Sequence, residues 1–217
     1  MAPSLAACPQ ALLFALSRSH FELTQNEERS SETMDKGSNS KNNYLMARLE
    51  VLAFSLKNGQ EIIFRSIEPD DAEIFLEFRH QVPHDSMHTM QYVGMELPSA
   101  EDTAKRFQVQ LEDKIILNIG AFDSGKMIGY LNFRMQNPTH PWVQHLAQFG
   151  MMVLKEYWGQ GIGKKLLELQ EAHAKSHGIT RIEAMVREKN DRGVKLYEHC
   201  GYNIEGTRRQ AAKINDE

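Results

Sequence analysis

Cysteine is nearly missing from this 217-residue chain, which has only Cys8 and Cys200. That scarcity excludes a disulfide scaffold and makes a reducing compartment the natural setting. Cys200 lies in no Cys-His pattern of known local type. Its place before Gly201, at an expected helix end, suits a small packed thiol better than a nucleophile. Long apolar runs are lacking too: the longest, residues 5–16, is broken by Cys8, Pro9 and Gln10 and is too short to cross a bilayer. Leu5-Ala6-Ala7-Cys8 has the look of a lipoprotein cleavage box, yet neither a charged region nor an apolar run precedes it. The expectation is a cytoplasmic protein without a membrane partner. A basic excess is also wanting. Against 25 Lys and Arg stand 29 Asp and Glu, and the formal net charge of −4 speaks against nucleic acid as a partner. Arg208-Arg209 reads as a solvated turn. No internal repeat is visible.

What is present is a soluble globular composition, 41% apolar and 25% charged, in a chain long enough for one domain and an appendage. Residues 17–43 are rich in Ser, Asn, Glu and Lys without a sustained apolar period, so residues 1–43 are expected to be a disordered or weakly structured extension. Met34 and Met46 could each serve as an alternative start. The compact domain is expected over residues 44–217, where strand and helix signals alternate. Residues 61–67 read as a strand. Pro69-Asp70-Asp71 opens a helix that Pro83 should end. A second helix starts at Pro98-Ser99, with Asp102 completing a capping pattern. Residues 115–122 and 127–135 are strands joined by Asp123-Ser124-Gly125-Lys126, a good hairpin turn. A strand over 145–154, a helix over 161–177, a strand over 179–187, a short helix from Asn190 to Cys200 and a strand over 202–207 complete the order. The central hairpin excludes a purely parallel, doubly wound sheet.

The sharpest local signal is Trp158-Gly159-Gln160-Gly161-Ile162-Gly163-Lys164, between a strand and an amphipathic helix. Alternate glycines let the backbone turn tightly and approach a ligand closely. The free N–H groups at the helix start then favour phosphate oxygens. A nucleotide P-loop does not fit, since Trp158 stands where its first glycine belongs and Lys165 where its hydroxyl residue belongs. A dinucleotide fingerprint would need its third glycine at Lys164.

From Phe149 through Gly201 the sequence resembles the GCN5-related N-acetyltransferase (GNAT) superfamily. The family pattern of Arg or Gln, two residues, Gly, one residue, then Gly or Ala falls on Trp158, Gly161 and Gly163. Trp158 departs from the usual first residue and resembles the branch that acetylates protein N-termini and polyamines. Met151-Met152-Val153 resembles the strand whose backbone pairs with the pantetheine arm, and Asn190, Leu196, Tyr197 and Gly201 match the later block. The resemblance implies an acyl-CoA N-acyltransferase-like α/β fold: a mixed, mostly antiparallel sheet with helices on both faces. A V-shaped groove near Met152 and Met185 would receive the cosubstrate acetyl-CoA. It further implies that Met151, Met152, Val153, Gly159, Gln160, Gly161, Ile162, Gly163, Lys164 and Asn190 hold that cosubstrate, without metal. A backbone N–H near Met151 or Met152 would meet the oxyanion at a bulge, and Tyr197 would protonate the departing thiolate.

The implied reaction is transfer of an acetyl group to a primary amine, on a small molecule or a protein N-terminus, by direct attack in a ternary complex. The rival reading is an inactive CoA-binding sensor or scaffold on the same fold. For the base, Glu183 and His145 are the candidates, neither preferred over an ordinary surface role. His80, His84 and His88 recur every four residues, but Pro83 interrupts their alignment and no further ligand completes a metal set. Residues 81–97 should form the lid over the acceptor, with Met87, Met90, Tyr92 and Met95 as an adaptable wall and His84, Asp85 and Glu96 able to attract a cationic amine. Superfamily members usually add a strand after the one at 202–207, and residues 210–217 lack the alternation for it. The expectation is a truncated sequence or an edge completed by a second copy in a homodimer. Cover by the N-terminal extension is the alternative, disfavoured by its polarity.

Overall fold

A computed structural model of the chain describes residues 11–19, 48–113 and 115–212. Eight strands form one sheet: β1 (Ala11–Ser19), β2 (Leu52–Ser55), β3 (Glu61–Ser66), β4 (Ile116–Asp123), β5 (Lys126–Met135), β6 (Leu146–Val153), β7 (Arg181–Arg187) and β8 (Asn203–Ala212). Their order is β2-β3-β4-β5-β6-β7-β1-β8, and every pairing is antiparallel except β6 with β7. Four helices cover it: α1 (Ala72–Asp85), α2 (Ala100–Glu112), α3 (Ile162–Ser176) and α4 (Asp191–His199). Neighbouring residues of β5 show the two faces. The backbone at Gly129 lies against Ile162 and Leu166 of α3, whereas Tyr130 sets its ring edge-on to Phe75 of α1 at 5.0 Å. The mixed α/β sheet with helices on both faces is therefore the architecture of this protein.

The parallel pairing is short. Only Leu146, Ala147 and Gln148 of β6 face Arg181, Ile182 and Glu183 of β7, after which the strands part. Backbone groups of β6 that would continue the ladder are left facing a gap, and this gap positions the site.

The largest correction concerns the N-terminus. Part of the extension expected to lack structure is strand β1, and it is central, not peripheral. Residues 13–19 pair with β7, and the strand's other edge pairs with β8. Because β1 is antiparallel to both, β7 and β8 run parallel to each other with a slot one strand wide between them. Leu13 and Leu16 are buried there and Phe14 packs against the core. The Ser17 hydroxyl donates to Glu205, and Arg18 pairs with Glu171 of α3. The physical reason is the accounting of backbone hydrogen bonds: the slot presents two rows of unpaired groups, and a short apolar strand satisfies both. The premise of a dimer completing this edge is thereby removed. The remainder of residues 1–43 lies outside the described residues, as do residues 213–217.

Smaller differences have local causes. The strand β2 was not foreseen in the sequence, and β8 runs past Thr207 to Ala212. Pro83 does not end α1, which continues to Asp85. A proline removes only the bond to the carbonyl four residues back, that of Arg79, and the Gln91 amide supplies a substitute donor at 3.0 Å. The hairpin turn is formed as expected, with Ser124 at φ 48° and Gly125 at φ 88°.

Arg181 and Ser17 hold the Glu205 carboxyl down to about 2, Arg181 having the larger effect. The linkage that joins β7, β1 and β8 is then fully present above the ordinary carboxylate pKa of 4.5 and lost as pH falls towards 2.

Candidate active site

A cavity of about 530 Å³ opens where β6 and β7 diverge. Its floor is the end of β6, one wall is the start of α3, and the other is α4 with the segment after α1. Of the residues singled out in the sequence, Met151, Met152, Val153, Gly159, Gly161, Ile162, Gly163, Lys164, Asn190 and Tyr197 all line it. Gln160 does not; its Oε1 is buried without a hydrogen-bond partner among the described residues. Met185 is more than half exposed and lies outside the lining, so the groove is bounded by α4 rather than by the middle of β7.

The α3 wall is built by glycine. Gly159 at φ 81° and Gly161 at φ 98° take left-handed conformations that a side chain resists. Gly161 is the N-cap of α3, and the first intrahelical bond runs from Lys165 N to Gly161 O at 3.0 Å. The amides of Ile162, Gly163 and Lys164 therefore have no helical acceptor, and all three residues border the cavity. Trp158 closes the turn beneath them, its indole Nε1 donating to Val153 O at 2.7 Å. Arg192 of α4 lays its guanidinium 5.4 Å from the Trp158 ring centroid, and Arg192 and Lys57 both reach the cavity. Neither cation was singled out in the sequence, because the two lie far from the glycine motif along the chain.

The expected bulge in β6 is corrected. The pairing of β5 with β6 runs from Gly129–Val153 to Met135–Ala147 without a register shift. Leu146 O and Leu154 N both bond towards β5. By the period of two, Met152 does the same, while Phe149, Met151 and Val153 turn their backbone groups to the gap. The splay exposes the Met151 N–H, and no bulge is needed.

Tyr197 is buried between Phe149, at 5.6 Å, and Tyr202, at 5.8 Å. Burial, with a smaller effect of Cys200, raises its phenol pKa, so the proton stays on at neutral pH. Asn190 caps α4, accepting from Gly193 N at 3.0 Å. Gly193 must be small, since an added Cβ would fall 2.6 Å from the Asn190 side chain. The Cys200 thiol is half-buried and its pKa is raised by burial, which disfavours the thiolate.

Neither base candidate enters the cavity. Glu183 accepts from Arg181 at 2.9 Å and from Gln148 at 3.3 Å, and His145 sits at the closed end of the splay. His88, considered from sequence only for metal, does line it. Burial, then the nearby Arg187, lowers its pKa below 6.5 despite Asp191. The lid segment is held over the site by Arg187, whose Nη2 donates to Thr89 O at 2.8 Å. Asp85 is occupied in accepting the Lys155 N–H at 3.0 Å.

Residues 81–202 match the sequence model of the Acetyltransferase (GNAT) family, more than half of the chain. An L-amino acid N-acetyltransferase, AaaT, of Escherichia coli is 29% identical over 159 residues, which is 72% of this chain and 92% of that protein. An acetyltransferase of the GNAT family from Streptococcus pneumoniae shares 27% identity with a TM-score of 0.67, covering 72% of this chain and 92% of that one. A phosphinothricin acetyltransferase from Sinorhizobium meliloti, solved with AcCoA, has the same fold at 20% identity and a TM-score of 0.55, over 66% of this chain and 75% of its own.

Proposed function

The chain belongs to the GNAT acetyltransferase family, and from that premise we propose that it transfers the acetyl group of acetyl-CoA to a primary amine by direct attack, with both substrates held in the splay between β6 and β7. The observation that carries this reading is the row of amides at Ile162, Gly163 and Lys164, which have no acceptor among the described residues, beside a strand end whose backbone faces a cavity. Such amides fit a pyrophosphate, and Arg192 and Lys57 fit the remaining phosphate charge. The gap-facing groups of Met151 and the N–H of Val153, whose carbonyl already accepts from the Trp158 indole, fit an extended amide arm. The Met151 N–H is the donor for the carbonyl oxygen as it gains charge. Holding both partners in one cavity makes the attack effectively unimolecular. The relative AaaT acts, by its name, on L-amino acids, which supports a small-molecule amine here.

Two side chains have assigned roles. Tyr197 keeps its proton until the thiolate departs and then delivers it. His88, uncharged at neutral pH, accepts the proton that the amine must lose. Tyr197→Phe should lower kcat by about tenfold to a hundredfold with acetyl-CoA affinity nearly intact, since only the phenolic proton is lost. Unaltered turnover across the pH range would return Tyr197 to a packing role. His88→Gln should lower kcat/KM by roughly the same factor and abolish the acidic limb below pH 6.5. A limb that persists in that variant would assign the proton to another acceptor.

The test of the reaction itself is release of free thiol from acetyl-CoA in the presence of amino acids, polyamines, aminoglycosides and peptide N-termini. Tight acetyl-CoA binding without thiol release from any of them would favour a CoA-binding sensor.

A further inference from the structure

Beyond the cavity, the lid side of the sheet carries two cations without counter-charges. Arg79 in the last turns of α1 and Arg106 on α2 approach the same aromatic ring, with guanidinium carbons 5.8 and 5.7 Å from the Phe75 centroid. Neither has a carboxylate within ion-pair distance among the described residues. Elsewhere the fold pairs such groups: Arg65 grips Asp71 through two bonds of 2.6 and 2.7 Å, and Arg181 holds Glu205. Arg79 is half-buried, and taking a charge out of water beside a like charge is costly unless something neutralises it.

The guanidinium is also oriented. The Gln91 amide donates to Arg79 O, the carbonyl that Pro83 leaves without a helical donor, and accepts from Arg79 Nε at 3.1 Å. Nη1 and Nη2 then have no hydrogen-bond partner among the described residues, and they present the two parallel donors that match a carboxylate. The same Gln91 amide lies 3.3 Å from Met152 Sδ on the cavity floor. Tyr130, the strand partner of Met152, packs on the shared Phe75 ring. A small hollow around Arg79, His80, His84, Gln91 and Tyr92 adjoins this point and has no acidic residue in its wall among the described residues.

We propose that Arg79, oriented by Gln91 and reinforced by Arg106, binds a carboxylate on the acceptor, so that the amine substrate is an amino acid or a related amino-carboxylate. This rests on the acetyl-transfer reading above. It replaces the expectation that His84, Asp85 and Glu96 attract a cationic amine, because Asp85 is occupied by Lys155 N and the nearest charges are positive. A polyamine would meet repulsion where a carboxylate meets a fork of donors.

The experiment compares L-amino acids with the corresponding amino-acid amides as acceptors for the full chain, its Arg79→Gln and Arg106→Gln variants, and Arg79→Lys. For the unaltered protein, acids should exceed amides in kcat/KM by about tenfold or more, the scale of a lost charge-assisted bidentate pair. Arg79→Gln should erase that preference through KM for the acids alone, with acetyl-CoA affinity unchanged, and Arg79→Lys should restore it only in part. Arg106→Gln, on an exposed side chain, should weaken it less. Equal use of acids and amides, or an equal loss for both in Arg79→Gln, overturns the proposal. Calorimetry of the same acids and amides on CoA-loaded protein separates the two readings. Acids binding without any turnover would sink acetyl transfer and keep the carboxylate site, whereas turnover without acid selectivity would do the reverse.

Discussion

Replacing Leu16 by Asp should unfold most of the protein. Leu16 is 1% exposed in the middle of β1, inside the slot between β7 and β8. Truncating such a leucine costs about 2–5 kcal/mol, and placing a carboxylate there adds desolvation. Against a total stability of roughly 5–15 kcal/mol, that is most of what the fold has. Removing residues 1–19 altogether should act differently. It would open two inner strand edges at once, each bearing unpaired donors and acceptors, and the protein should associate through them. Chemical denaturation of the substituted protein and light scattering of the shortened one are the measurements. A shortened protein that stays monomeric with an unchanged denaturation midpoint would show that β1 contributes nothing to the sheet.

Gly161→Val should abolish useful acetyl-CoA binding while leaving the rest of the fold in place. Gly161 holds φ 98°, which a β-branched residue cannot keep; the strain lies in the backbone, since an added Cβ would only touch the Phe54 ring at an ordinary 3.5 Å. The turn must rotate to relieve this, and the amides of Ile162, Gly163 and Lys164 rotate with it. Losing two charge-assisted bonds of about 1.5–3 kcal/mol each corresponds to a fall of at least about a hundredfold in affinity. Titration calorimetry with acetyl-CoA reads this directly, and circular dichroism checks that α3 persists. Affinity within a factor of about two of the unaltered protein would remove the amide row as the phosphate site.

How far the sequence could be read depended on how local each interaction was. The glycine motif was legible because positive φ and free amides are properties of a few consecutive residues, as Gly159, Gly161 and the cap of α3 illustrate. The Asn190 cap and the Asp123–Lys126 turn were legible for the same reason. Pro83 misled because its rule treats the helix alone, and a side chain from the lid replaced the missing donor. Glu183 and His145 were sensible choices for a base on flanking strands. Whether either could face the cavity depended on how far β6 and β7 stay paired, and no residue in either strand announces that. His88 had no distinguishing neighbours in sequence; it acquires its lowered pKa from burial and from Arg187, almost a hundred residues away.

The sequence by itself determined the alternation of helices and strands, the central hairpin, the family and the anion-binding turn, since each is written in spacing, glycine placement or apolar period. The tertiary structure alone decided which strand fills the slot between β7 and β8. Residues 11–16 are simply a short apolar run, and a run of that kind has no address until two unpaired strand edges create one. It also decided that Arg79 and Arg106 stand together on one ring. They are far apart in the chain, and α1 and α2 bring them close only by packing on the same face of the sheet. Local geometry is encoded by neighbours in sequence, whereas the pairing of edges and the gathering of charge are properties of surfaces that exist only once the sheet has formed.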